Sequence, residues 1–141
     1  MSGPCGVLTP DDIRELVGDG NVTKASVIND GCEWITSAGG GVSYTVEKST
    51  SAPDQAGSRT IRTADGDLLA SPASEKSGNC IATMVPTRSL ERGTDYLYES
   101  LGIVIMPAES STKSSSVQGK SVCERSIPQI AKMLRGTGLA E

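Results

Sequence analysis

Apolar residues near the N-terminus recur at the spacing of an amphipathic helix. The stripe consists of three residues, Ile13, Leu16 and Val17. Thr9 is a favoured N-cap residue, and Pro10 suits the first helical position, where its missing N–H has no helical partner to lose. Gly18 is typical of a helix C-terminus because it adopts the left-handed conformation easily. The pattern predicts a helix over residues 10–17.

A strict alternation of apolar and polar residues follows further along the chain. Val42, Tyr44 and Val46 fall on one face of residues 42–48, and polar residues fall on the other, which is typical of a half-buried strand. Residues 32–36 are also strand-like, and three glycines separate the two segments, so a hairpin is predicted. Further strands are expected at residues 25–28, at residues 80–85 and within residues 96–106.

Three polar segments lack the apolar residues that packing requires. We interpret residues 49–60, 71–78 and 110–116 as mobile loops. Near the C-terminus, apolar residues return at helical spacing: Val122, Ile127, Ile130, Ala131 and Leu134. Pro128 interrupts this stretch, so a kink or a late helix start is expected there.

The order of helix, several strands and helix predicts an α+β fold. We expect an antiparallel β-sheet flanked by an N-terminal and a C-terminal helix, in one domain over residues 1–141. Residues 1–4 lack the charged and apolar lead-in of a signal peptide, and we expect them to be an added start or the remnant of a tether.

Composition indicates that this fold needs covalent support. Hydrophobic residues make up 36% of the chain, with one Trp, three Tyr and no Phe, so the core lacks the side chains that bury most area. Its four cysteines are widely spaced, and no close pair suggests a zinc or redox motif. We therefore expect two disulfides and an oxidising, extracytoplasmic compartment.

Charge and residue types exclude several functions. A net charge of −4 without a basic cluster argues against nucleic acid or an anionic membrane surface as a partner. The chain contains no histidine, so Ser-His-Asp triads and histidine-ligated metals are impossible. We expect no enzyme activity, no metal and no cofactor. The remote alternative is a hydrolase that uses a Ser/Lys pair, for which Ser110 and Lys113 have the spacing, or two carboxylates, such as Asp65 and Asp67.

Trp34 is open to two interpretations. It lies two residues after Cys32, on the same side of a regular strand, and could pack over the disulfide of that cysteine as the anchor of the core. Alternatively, Trp34 forms the floor of a ligand groove together with Tyr44. These two aromatic residues are the candidate ligand-binding residues.

Four short motifs occur in order along the chain: Cys5 before a Leu-Thr-Pro helix start, a Cys32-Glu33-Trp34 strand, a strand at Cys80, and Cys123 at an apolar helix. This pattern resembles a family of small actinobacterial secreted lipoproteins of unknown function. The likeness covers roughly residues 5–135, with Val7 in place of a leucine and Pro128 within the last helix as departures. A looser likeness is to the two-disulfide extracellular sensor domains of mycobacterial receptor kinases.

Of the three possible pairings of four cysteines, we predict Cys5–Cys32 and Cys80–Cys123, because each ties a terminal helix to a strand nearby in sequence. The resemblance implies the same pairing. It also implies a domain tethered to the outer face of the cytoplasmic membrane by a lipid anchor upstream, and it implies no catalytic residues. We expect a monomer that binds or senses a small ligand at the cell envelope. The alternative is an interaction module that docks on an envelope protein.

Overall fold

The computed structural model describes residues 4–18, 21–28, 30–49, 57–87, 98–108 and 121–139. In these ranges the chain forms a seven-stranded antiparallel sheet with helices from both ends of the chain, so the predicted fold class is confirmed. The strands run in the order β1-β2-β3-β7-β6-β5-β4. The sheet therefore consists of two meanders, β1–β3 and β4–β7, which meet where β3 pairs with β7.

The elements have the following bounds. The strands are β1 (Val22–Ile28), β2 (Gly31–Thr36), β3 (Gly41–Ser49), β4 (Arg59–Thr63), β5 (Gly66–Ala70), β6 (Cys80–Pro86) and β7 (Tyr98–Met106). The helices are α1 (Pro10–Val17), α2 (Pro72–Lys76), α3 (Val122–Arg125) and α4 (Ile127–Gly136), and a 3₁₀ turn at Pro4–Gly6 precedes α1.

The core lies between one face of the sheet and the helices. The predicted hairpin is present, since Cys32 lies opposite Tyr44 and Trp34 lies opposite Val42 in the β2–β3 ladder. Directly opposed residues point to the same face, so these side chains belong to one layer. We call this layer the helix face. It continues through further buried residues of the other strands: Leu68, Cys80, Ala82, Met84, Leu101, Ile103 and Ile105.

Helix α1 has the predicted bounds and ends. The Thr9 hydroxyl accepts the backbone N–H of Asp12 at 3.1 Å, and the Asp12 carboxylate accepts the backbone N–H of Thr9 at 3.0 Å. This reciprocal capping box satisfies two N–H groups that the start of a helix leaves free. Gly18 ends the helix with a φ of 89°, in the left-handed region that favours glycine.

Pro128 divides the C-terminal segment as expected. α3 ends at Arg125, and α4 begins at Ile127, so that the proline occupies the first turn of α4, where it interrupts no helical hydrogen bond. The Lys132 ammonium of α4 donates to the Asp12 carboxylate of α1 at 2.8 Å, and this ion pair joins the two terminal helices.

Two of the predicted loops are corrected. The interpretation of residues 49–60 as a loop is wrong at both ends, because Ser49 belongs to β3 and β4 begins at Arg59. Residues 50–56 lie outside the described residues. The interpretation of residues 71–78 as a loop is also wrong, because α2 occupies Pro72–Lys76 and its Ser74 is buried. Residues 110–116 lie outside the described residues. The β4–β5 hairpin was not predicted at all.

The predicted disulfides are both present. Cys5–Cys32 joins the 3₁₀ turn to β2, and Cys80–Cys123 joins β6 to α3. All four cysteines are buried on the helix face, where each bond fastens one terminal helical segment to the sheet. Two disulfides are consistent with an oxidising, extracytoplasmic environment.

A network of ion pairs fastens the edge strand β4 to two helices. The Arg59 guanidinium binds both carboxylate oxygens of Glu75 in α2, at 2.6 and 3.0 Å, and donates to Glu124 of α3 at 3.0 Å. The hydrogen bond from Arg59 lowers the pKa of Glu75, against the opposing effect of burial. Burial also raises the pKa of Glu124, but hydrogen bonds from Ser121 and Arg59 outweigh it, and the net shift is downward.

Removal of the disulfides is expected to lower the free energy of unfolding by an amount that grows with the logarithm of the loop length that each bond closes. The separations are 43 residues for Cys80–Cys123 and 27 for Cys5–Cys32. Loop-closure entropy then predicts losses of about 4 and about 3.5 kcal/mol for the paired Cys→Ser variants. Urea unfolding of both variants checks the values. A loss below about 1 kcal/mol for either variant would contradict the expected role of that bond.

Replacement Glu75→Gln is expected to remove an acid-sensitive part of the stability. Because the pKa of Glu75 is lower in the folded chain, its ionisation favours folding above the ordinary value of 4.5, and this contribution is lost as the pH falls through the folded pKa. Wild type should therefore exceed the variant by up to about 1 kcal/mol at pH 7 and low salt, since Arg59 is partly exposed. The two unfolding free energies should converge below pH 4.5.

The matched control is Asp11→Asn, which removes the exposed Asp11–Arg14 pair at 3.5 Å. Pairs of this kind contribute little in water, and Asp11 at the helix start adds a few tenths of a kcal/mol, so this variant should differ from the wild type by less than Glu75→Gln does at pH 7. A constant difference between wild type and Glu75→Gln from pH 7 to pH 3 would contradict the assignment.

Candidate functional site

An apolar cleft opens between the N-terminal turn and the edge of the sheet, with a volume of about 380 Å³. We call it the Trp34 cleft, after the one tryptophan of the chain. Its walls come from the 3₁₀ turn, the start of α1 and strands β1 and β2: Cys5, Gly6, Leu8, Thr9, Pro10, Val22, Ala25 and Trp34. Apolar cavities of this size with a few polar groups are typical of small-ligand sites.

The fold forms the Trp34 cleft because the disulfide Cys5–Cys32 holds the 3₁₀ turn against β2. Trp34 lies two residues further along the same face of β2. Opposite it in β1 is Ala25, whose small side chain leaves space beside the indole. The Thr9 hydroxyl is the polar side chain of the cleft, and its oxygen already accepts the Asp12 N–H of the capping box.

The structure brings the two predicted ligand-binding residues together. The rings of Trp34 and Tyr44 stack with centroids 5.9 Å apart and planes inclined by 27°. Both are buried, with 3% of Trp34 and 1% of Tyr44 exposed. They do not share a cavity, however. Trp34 lines the cleft, whereas Tyr44 lines a separate, more polar depression with Asp30, Lys48 and Glu99.

The other side of the sheet, which we call the open face, carries a second candidate surface. Ile35, Ile81 and Met106 are 39%, 49% and 50% exposed on this side. A wide depression of about 470 Å³ surrounds Gly102, where the absence of a side chain leaves room for the Glu47 carboxylate. Five hydroxyl side chains border this depression, and they belong to Ser43, Thr45, Ser58, Ser71 and Thr83.

The groups with shifted pKa values lie outside the Trp34 cleft, and each shift has a structural cause. Burial acts to raise the pKa of Asp12, but hydrogen bonds from Lys132 and Thr9 outweigh it and lower the pKa overall. Burial raises the pKa of Tyr44, and carboxylates raise the pKa of Arg59. In the described ranges, no three acidic or cysteine side chains come together as a metal site would require.

Most residues of the Trp34 cleft were missed by the sequence reasoning. Pro10 was assigned only to the predicted helix, and Gly6 and Val22 were assigned to no element. The available signal was Trp34 itself, as the single tryptophan two residues after a disulfide cysteine. Of the hydrolase candidates, Ser110 and Lys113 lie outside the described residues. Asp65 and Asp67 flank Gly66 at the start of β5 and do not line the Trp34 cleft.

No protein-family model, curated protein or solved structure matches the chain. Among the helices of the described residues, none combines the length and the apolar character that crossing a bilayer requires.

Replacement Trp34→Ala is expected to destabilise the fold, because the side chain is buried and stacked on Tyr44. Truncation of a buried aromatic residue costs about 3–5 kcal/mol through lost packing and the cavity left behind. Thermal unfolding with both disulfides intact provides the measurement. The control, Ile81→Ala on the open face, should change the unfolding free energy by less than about 1 kcal/mol. A Trp34→Ala melting temperature close to that of the wild type would instead indicate a surface role for Trp34.

Proposed function

We propose that this chain is a non-enzymatic, extracytoplasmic domain that binds an apolar ligand in the Trp34 cleft. The observation that carries this proposal is the cleft itself, an apolar space of about 380 Å³ beside the one tryptophan of the chain. A ligand in it would contact Leu8, Ala25 and the indole of Trp34. The absence of histidine, together with shifted pKa values that ion pairs and burial explain, supports a role without catalysis.

The cell envelope is the proposed location. Two disulfides support an oxidising compartment. The resemblance to small actinobacterial secreted lipoproteins supports a lipid tether to the outer face of the cytoplasmic membrane, with the domain acting as a monomeric ligand-binding or sensing module.

A second candidate function is docking on an envelope protein through the open face. The partly exposed side chains of Ile35 and Met106 favour it, because both flank Gly41 and line a shallow depression of about 240 Å³ on the open face. Exposed apolar patches of this kind are typical of protein interaction sites.

Chemical-shift mapping with decanoate, a soluble apolar probe, tests the proposal. The backbone amides of Gly6, Thr9 and Ala25 are expected to shift on titration, because they line the cleft. Ala25→Phe places a ring in the cleft from an exposed strand position and should abolish these shifts. Ile81→Lys on the open face should leave them unchanged. Shifts that survive Ala25→Phe and vanish in Ile81→Lys would assign binding to the open face, and no saturable shift at all would overturn the proposal.

A further inference from the structure

The two edge strands of the sheet, β4 and β1, differ in how far their helix face is covered. At β4 the helix face is closed, because Arg59 on that face binds Glu75 of α2 and Glu124 of α3. β4 has five residues, two of which are arginines. Short, charged edge strands resist pairing with another chain.

At β1 the helix face is left open. In the described part of the chain, no strand pairs with the outer side of β1. Ala25 and Val27 lie opposite the buried residues Trp34 and Cys32, and therefore point to the helix face. Both are nevertheless exposed, Val27 by 63%. The apolar side chains on the helix face of β1 are therefore not covered by other described residues, and the Trp34 cleft opens beside them.

The backbone hydrogen-bonding groups of β1 favour one class of ligand at this edge of the sheet. Alternate residues of an edge strand direct N–H and C=O groups away from the sheet, and only another extended backbone matches such a row of donors and acceptors. An acyl chain could fill the cleft but would leave these groups without protein partners. The register is regular from Lys24 to Ile28, beyond a bulge next to Val22, so this part of β1 can pair.

We infer that β1 accepts an extended peptide strand of a partner protein, which lengthens the sheet and inserts apolar side chains into the Trp34 cleft. The inference rests on the proposed function, since it names the ligand class of the same cleft. Every second side chain of the peptide faces Val27 and Ala25, and this side of β1 carries no charge. Lys24 lies opposite Ile35 on the other side, so uncharged, apolar residues fit at alternate peptide positions.

The probe is a nine-residue peptide of alternating valine and threonine with a lysine at each end. It has no aromatic residue, and Trp34 is the one tryptophan of the chain, so a change in tryptophan emission reports binding at the cleft. Two further peptides carry N-methyl groups on all valines or on all threonines. In an added strand, the N–H groups of one set face β1 and those of the other face away. One methylated peptide should therefore bind at least about tenfold more weakly, and the other should retain affinity.

Substitutions in the protein test whether the peptide binds along β1. Val27→Lys places a charge on the pairing edge and should weaken binding of the parent peptide by about tenfold, whereas Val27→Thr keeps the branched shape and should retain binding. The matched control, Thr60→Lys, places the same charge at an exposed position of the other edge strand and should have no effect.

Several results would overturn the inference. Equal affinities for the two methylated peptides would show contact without backbone pairing. A dimer in sedimentation velocity that Val27→Lys dissolves would assign the edge to a second copy of this chain. Decanoate binding without peptide binding would reject the peptide strand but leave the proposed function intact, whereas failure of both probes would reject the two together.

Discussion

The fold depends on two covalent bonds that hold short helical segments against one face of a large sheet. α1 has eight residues, and neither it nor the C-terminal segment is long enough to be stable as a helix alone. Cys5–Cys32 fixes the 3₁₀ turn before α1 against β2, and Cys80–Cys123 fixes α3 against β6. With one tryptophan and no phenylalanine in the chain, apolar burial alone gives a thin core. The disulfides supply order that aromatic packing supplies in other domains of this size.

Ion pairs complete this arrangement on a smaller energy scale. The Lys132–Asp12 pair joins α4 to α1, so the two helical segments that the disulfides hold also hold each other. Arg59 fastens β4 to α2 and α3 in the same layer. Partly exposed pairs contribute about 1 kcal/mol or less each, against several for a disulfide. Their main effect is to position helices: the pairs of Arg59 hold α2 and α3 over the helix face at β4. No comparable ion pair among the described residues holds a helix over β1.

The local elements could be predicted from the sequence because their causes are local. The N-cap at Thr9 and the alternation in β3 each depend on a few neighbouring residues, and both predictions are confirmed. β4 could not be predicted, because Ile61 is its one apolar residue and Arg59 finds its partners at Glu75 and Glu124, far along the chain. The Trp34 cleft could not be predicted either, because its residues are distant in sequence. Its walls come from four separate elements, and no single segment shows it.

The pairing of β3 with β7 has a consequence for the rate of folding. Each meander brings together neighbours in sequence, whereas Tyr44 meets Ile103 across the middle of the chain. Cys5–Cys32 lies before both strands, and the route through Cys80–Cys123 is about as long as the direct chain, so neither bond shortens the connection much. Bringing these two strands together costs conformational entropy before the contacts between them have formed. Proteins with many contacts between distant parts of the chain therefore fold slowly. We therefore expect the joining of the two half-sheets to be the slow step of folding, even after both disulfides have formed.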